Sequence, residues 1–213
     1  EMYKLLDIRF DRYYFNSMFE EPGKEMVEEL LQKGIASDER EEGGAVIVKI
    51  DEKLGLKDEK YRVMVVLRSD STALYATEDL ALAKQKFSDY PDLEKSYYIV
   101  DVRQSLHFQQ VFKTLELLGY EWADRCQHVP YELVNLLGNV TMASREGTVV
   151  LLEDLIREAT SRALEVVREK NADLAEEKQL EIARAVGIGA IKFPMLSRES
   201  NKIVTFDWQS ALD

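Results

Sequence analysis

Three short stretches combine residue types that can do chemistry. In the first, residues 69–79, Tyr75 and Asp79 stand four apart. In a helical turn the phenol and the carboxylate would share a face and could hold a cationic group between them. The same spacing also suits a capped helix start, with Asp79 favoured by the positive end of the helix dipole. In the second, residues 101–112, a polar run follows directly on a strand-like segment, the place where open α/β sheets bind ligands. There Gln104 would be a neutral, hydrogen-bonding wall. His107 would lie one turn into a helix, where a half-buried core histidine is the plainer expectation. The third stretch, residues 141–148, sets Ser144 and Arg145 among small residues ahead of a long amphipathic segment. A loop cation beside hydroxyls suits a polyphosphate whose charge shifts during reaction, although an ordinary surface loop has the same composition.

These stretches need elements to position them. Apolar residues Met26, Val27, Leu30 and Leu31 predict a helix over 24–33, stopped by Gly34. A charged turn over 38–44 precedes an apolar strand over 45–50, and the Val-rich run 61–67 pairs with it as a hairpin with a long loop. Strands and helices then alternate: a helix from about Thr77, whose hydroxyl would cap it, a strand over 97–102, a helix over 105–118 ended by Gly119, and an extended segment over 128–136. A loop over 138–147 leads to a long helix over 149–170, and a further helix covers 180–195, where Gly187 and Gly189 would allow close packing. Strands followed by helices imply crossovers and a largely parallel sheet.

Composition narrows the function. With 213 residues, 46% apolar and 32% charged, and only ten Gly and four Pro, the chain can bury a substantial core as one large domain or two small ones. The net charge of −12 repels polyanions, so a stand-alone nucleic-acid binder is disfavoured. A single cysteine, Cys126, cannot make an internal disulfide or anchor a zinc cluster, and two histidines do not suggest a metal site. The longest apolar run, near 63–67, is far short of a membrane span, and the first ten residues carry no signal-peptide pattern. A reducing, cytoplasmic location without membrane contact is expected. No GxGxxG or GxxxxGK phosphate fingerprint is present.

In order and spacing the three stretches resemble the catalytic domain of arginyl-tRNA synthetase, a class I aminoacyl-tRNA synthetase. Residues 74–79 match its L-Y-x-T-x-D stretch, 104–110 its Q-x-x-H-F/A-x-Q stretch and 142–147 its M-S-T-R-K-G signature loop. Residues 10–13 look like its F-D-x-Y, and 203–212 like its Y-x-F-x-W-x-x-x-L segment. The resemblance implies an α/β fold: a partial Rossmann-like class I catalytic domain with a mainly parallel sheet and an inserted β-hairpin region. Residues 1–68 would form the amino-terminal, inserted α+β part, and 69–213 the carboxyl-terminal half of the nucleotide-binding domain with the signature loop.

The resemblance also implies chemistry: L-arginine and ATP, the latter with Mg2+, condense to arginyl-adenylate, and the arginyl group passes to tRNA(Arg). Tyr75, Asp79 and Gln104 match the residues that read the guanidinium. His128 and Val129 match the strand beside the adenine, and Met142, Ser144 and Arg145 match the loop over the phosphates, with Arg145 and Ser144 as the catalytic pair. No structural metal is implied. The chain departs from the family pattern at Ser71, often Gly, at Glu78, usually Arg, and at Ala143 and Glu146, where Ser and Lys are expected. The early H-x-G-H element has no counterpart, since the only histidines are His107 and His128. The expectation is a middle-to-late portion of a catalytic domain, inactive alone. A non-catalytic arginine-binding or protein-interaction paralogue is the alternative, followed by another class I nucleotidyl transferase with a different amino-acid substrate.

Overall fold

The computed structural model describes residues 2–136, 140–141 and 151–206. It is mixed α/β and divides into two compact units, Asp11–Pro130 and Glu1–Phe10 with Tyr131–Asp213. These units group residues by contact. The boundary expected at residue 68 divides the chain by its place in the family's domain, and stays a proposal.

The short α1 (Met2–Leu5) belongs to the other unit; within 11–130, helix α2 (Glu20–Gln32) places Met26, Val27 and Leu30 in the core. It begins four residues before the expected start, because Pro22 falls in the first turn, where a missing N–H is harmless, and Glu20 and Glu21 suit the positive dipole end. Strands β1 (Ala36–Asp38), β2 (Val46–Lys49) and β3 (Val63–Leu67) form an antiparallel sheet in that order. The expected hairpin is therefore present. Between its strands lies the one-turn helix α3 (Ile50–Lys53), whose Asp51 accepts from the backbone N–H groups of Tyr61 and Arg62 at 2.9 and 2.8 Å. That capture orders the long loop.

Helix α4 (Tyr75–Asp89) starts at Tyr75, with Leu74 at the cap position and no side-chain cap. Thr77 therefore does not cap it. Thr77 is fully buried inside the first turn, and its hydroxyl donates to the carbonyl of Val66 on β3, tying helix to sheet. Gly23 of α2 sits against the same residue: a Cβ there would meet the Thr77 methyl at 3.0 Å and its carbonyl oxygen at 3.2 Å. Strands β4 (Ser96–Asp101) and β5 (Cys126–Tyr131) lie side by side, joined through α5 (Ser105–Leu118), which ends where the sequence places its end, at Gly119 with φ 88°. One core joins α2, β2, β3, α4 and α5 through Leu30, Val48, Val66, Leu80, Val111 and Leu115. A smaller one gathers Phe87, Tyr98, Phe108 and Cys126.

In the other unit, β6 (Val134–Leu136) pairs antiparallel with β7 (Val140–Thr141) and in parallel with β8 (Val204–Phe206). Of the loop expected over 138–147, residues 140–141 are thus a strand, and 142–147 lie outside the described residues, as do 207–213. Helices α6 (Leu152–Lys170) and α7 (Glu176–Leu196) pack through Ile156, Ala159 and Ile191. Gly187 permits that contact, since a Cβ would lie 2.8 Å from the Thr160 nitrogen. Gly189 does not share this role, because a Cβ there meets nothing within 4 Å. Among the described residues no helix is long and apolar enough to cross a membrane.

Candidate functional site

The start of α4 and the turn before α5 open on one cleft of about 310 Å³ inside the 11–130 unit, a size suited to a small ligand. Tyr75, Glu78, Asp79 and Leu82 come from α4, Val100 from β4, and Gln104 and Phe108 from the β4–α5 junction. Asn16 and Phe19, from the segment leading into α2, complete the wall. Tyr75 and Asp79 are one turn apart on the same face, as their spacing requires. Tyr75 is three-quarters exposed at the mouth, and the Asp79 side chain retains a quarter of its accessibility.

Gln104 reaches the cleft because the chain tightens into a 3-10 turn over Val102–Gln104 between strand and helix. Asp101 builds that turn, its carboxylate accepting from the Arg103 backbone N–H at 2.8 Å, from Nε at 2.8 Å and from Nη2 at 2.7 Å. These bonds, the side-chain ones foremost, pull the Asp101 carboxyl down to about 2. In the turn before α4, Ser71 holds φ 65°, in the left-handed region that glycine occupies without strain. Asp70 steadies the bend by accepting from the Thr72 N–H at 2.9 Å and its hydroxyl at 2.7 Å.

Sequence reasoning left two neighbours of Asp79 unassigned. His107 is half-buried, as expected, but it is not merely packed: its Nε2 lies 2.6 Å from Asp79 Oδ2, and its ring meets Phe108 edge-on at 5.0 Å. Nothing in the spacing links positions 28 apart. Glu78, next to Asp79, also lines the cleft, and its Oε2 is buried without a hydrogen-bond partner. Burial first, then the charges of Asp79 and Glu20, raises its carboxyl above the ordinary range.

His128 and Val129 lie on β5, both half-buried. The His128 ring stacks on Phe108 at 5.0 Å, and its Nε2 bonds the Val100 carbonyl at 2.9 Å, so it backs two walls of the cleft. Met142, Ser144 and Arg145 lie outside the described residues. Two further clefts, of about 240 Å³ beside Lys49, Asp51 and Arg62 and about 520 Å³ beside Tyr61, Lys113 and Cys126, contain none of the residues expected to form a site.

Solved structures place this fold in a class. The described chain superposes on the arginyl-tRNA synthetase of Thermus thermophilus with a TM-score of 0.79 and 28% identity, over 99% of this chain and 40% of that one. It superposes on the Plasmodium falciparum enzyme with a TM-score of 0.76 at 18% identity, over 100% and 34%, a likeness that speaks for the fold alone. The fold is that of a class I synthetase catalytic domain, mixed α/β with parallel pairing and an antiparallel hairpin sheet.

Sequence comparison carries this to a family. The model of the tRNA synthetases class I (R), catalytic domain, matches residues 1–208, and the chain belongs to that family. It is 39% identical over 214 residues to the arginine–tRNA ligase of Clostridium kluyveri, and 39% identical over 211 residues to that of a Clostridium botulinum strain. It spans about 35% of the length of these curated relatives, and is a portion of a ligase catalytic domain.

Proposed function

We propose that this chain carries the arginine-reading part of an arginyl-tRNA synthetase, and that the α4–α5 cleft receives the guanidinium of L-arginine. The observation that supports this reading is the convergence of Tyr75, Asp79 and Gln104 on one cleft. A planar fork of donors calls for a fixed carboxylate. Asp79 supplies it, with His107 occupying one oxygen and the guanidinium taking the other. Gln104 accepts a further N–H through its amide oxygen, and Tyr75 covers the alkyl chain at the mouth.

In this reading His128 and Val129 present a Rossmann-like strand to the adenine of ATP, and Met142, Ser144 and Arg145 close over its phosphates and the accompanying Mg2+. Arg145 offsets charge on the departing pyrophosphate, and Ser144 donates to it, so that activation of the arginine carboxylate proceeds by placement and electrostatics. The arginyl group then passes to tRNA(Arg). One buried cysteine fits a cytoplasmic protein.

Calorimetric titration with L-arginine tests the assignment. Specific binding is expected, weakened about a hundredfold or more in Asp79→Asn, because an ionic acceptor is replaced by a neutral group that turns donors toward the guanidinium. Equal binding by the two proteins, or none by the unsubstituted one, would remove the cleft as an arginine site.

A further inference from the structure

Two acids, not one, line this cleft, and they differ in their surroundings. Asp79 is served by His107 at 2.6 Å. Glu78, one residue earlier, has an oxygen sealed from water with no donor within reach. On ionisation that oxygen would lack both hydration and a partner, although Glu78 as a whole is only half-buried. The charged groups that act on Glu78 are both acids: Asp79 on its own helix and Glu20 at the start of α2. Glu20 is itself bridged by Lys24 at 3.5 Å, so the nearest cation on α2 is engaged elsewhere. From α5 the titratable group is His107, turned to Asp79, and the other polar walls, Asn16, Tyr75 and Gln104, are neutral. In the empty cleft no cation faces Glu78, and only the positive end of the α4 dipole favours its charge.

A guanidinium changes that balance, since it brings a positive charge and several N–H donors to the same wall. Resting on the arginine assignment above, we propose that Glu78 is a second acid of the cleft, and that entry of the guanidinium is coupled to release of one proton from its carboxyl to solvent. The O–H bond of the Glu78 carboxyl breaks, its electron pair stays on the oxygen, the proton passes to water or buffer, and the new carboxylate faces the cation. The raised proton affinity of the free acid is the physical counterpart of this coupling. Ligand and proton compete for one carboxylate, so by linkage the cation binds more tightly as pH rises through the interval in which only the bound form is ionised.

The test is calorimetric titration of the protein with L-arginine between pH 5 and 7, at each pH in buffers of different ionisation enthalpy. Up to one proton released per arginine is expected, with affinity rising with pH and never more steeply than tenfold per pH unit. In Glu78→Gln the dependence on buffer and on pH should vanish and the affinity at pH 7 fall about tenfold. Loss of proton release in this variant assigns the proton to Glu78 and not to Asp79 or His107. A proton count of zero in the unsubstituted protein overturns the inference even if the variant folds poorly. Arginine binding with no proton released, or proton release unchanged in Glu78→Gln, would overturn the inference and leave the arginine assignment standing. Absence of arginine binding by the unsubstituted protein would overturn both.

Discussion

At the scale of the residue, the cleft depends on where one carboxylate points. Asp79 has two oxygens, and the 2.6 Å contact with His107 fixes which of them faces away. His107 is thus a positioning residue, as partner groups behind a ligating side chain generally are. Replacing it by Phe keeps the ring volume but removes the donor, and arginine affinity is expected to fall about tenfold with the affinity for ATP unchanged. His107→Gln, which returns an N–H at a similar reach, should recover most of the loss. Equal losses in the two variants would mean that His107 only fills space. The sequence discloses Tyr75, Asp79 and Gln104 through spacing and resemblance, whereas the His107 contact joins two helices 28 positions apart and leaves no periodic trace. Glu78 was legible only as a departure from the family pattern. Its neighbour across elements is Glu20 at the start of α2, which packs against α4.

At the scale of the element, the cleft is held by short connections. Asp101 ties the 3-10 turn that presents Gln104, and its carboxyl lies at about 2 because Arg103 binds it by side chain and backbone. An unfolded aspartate titrates near 3.9. The folded form binds its proton less readily, so the stabilisation is complete above that value and is lost as pH falls from about 4 to 2. Denaturant unfolding of Asp101→Asn is expected to show lower stability than the unsubstituted protein at pH 6, with the gap closing toward pH 2. A gap independent of pH would show that the turn does not rest on this charge. Elements with strong punctuation were legible from sequence: α5 runs between a polar turn and a left-handed Gly119, and both bounds match. The three-residue β1 was not legible, because its pairing to β2 comes from the sheet and not from any local pattern. Thr77 carries a capping residue type, yet the carbonyl of Val66 takes its hydroxyl, because in this fold the side chain is buried against β3.

At the scale of the whole molecule, two cores serve the 11–130 unit and a third serves the other, and every described wall of the α4–α5 cleft belongs to residues 11–130. The chain's net charge of −12 favours approach of a cationic amino acid and disfavours a polyanion, so under the proposed function recognition of tRNA(Arg) would draw on local features, and recognition of arginine would not need them. In the proposed function the cleft reads positive charge on a planar group. Citrulline has nearly the same shape without the charge, and comparing its binding with that of L-arginine isolates this feature. Calorimetric titration of the protein with the two amino acids at pH 7 should give arginine an advantage of about a hundredfold or more, since a site built around an ionic hydrogen bond rejects a ligand that lacks the charge. Binding of citrulline as tightly as arginine would contradict the assignment of Asp79 as the guanidinium acceptor.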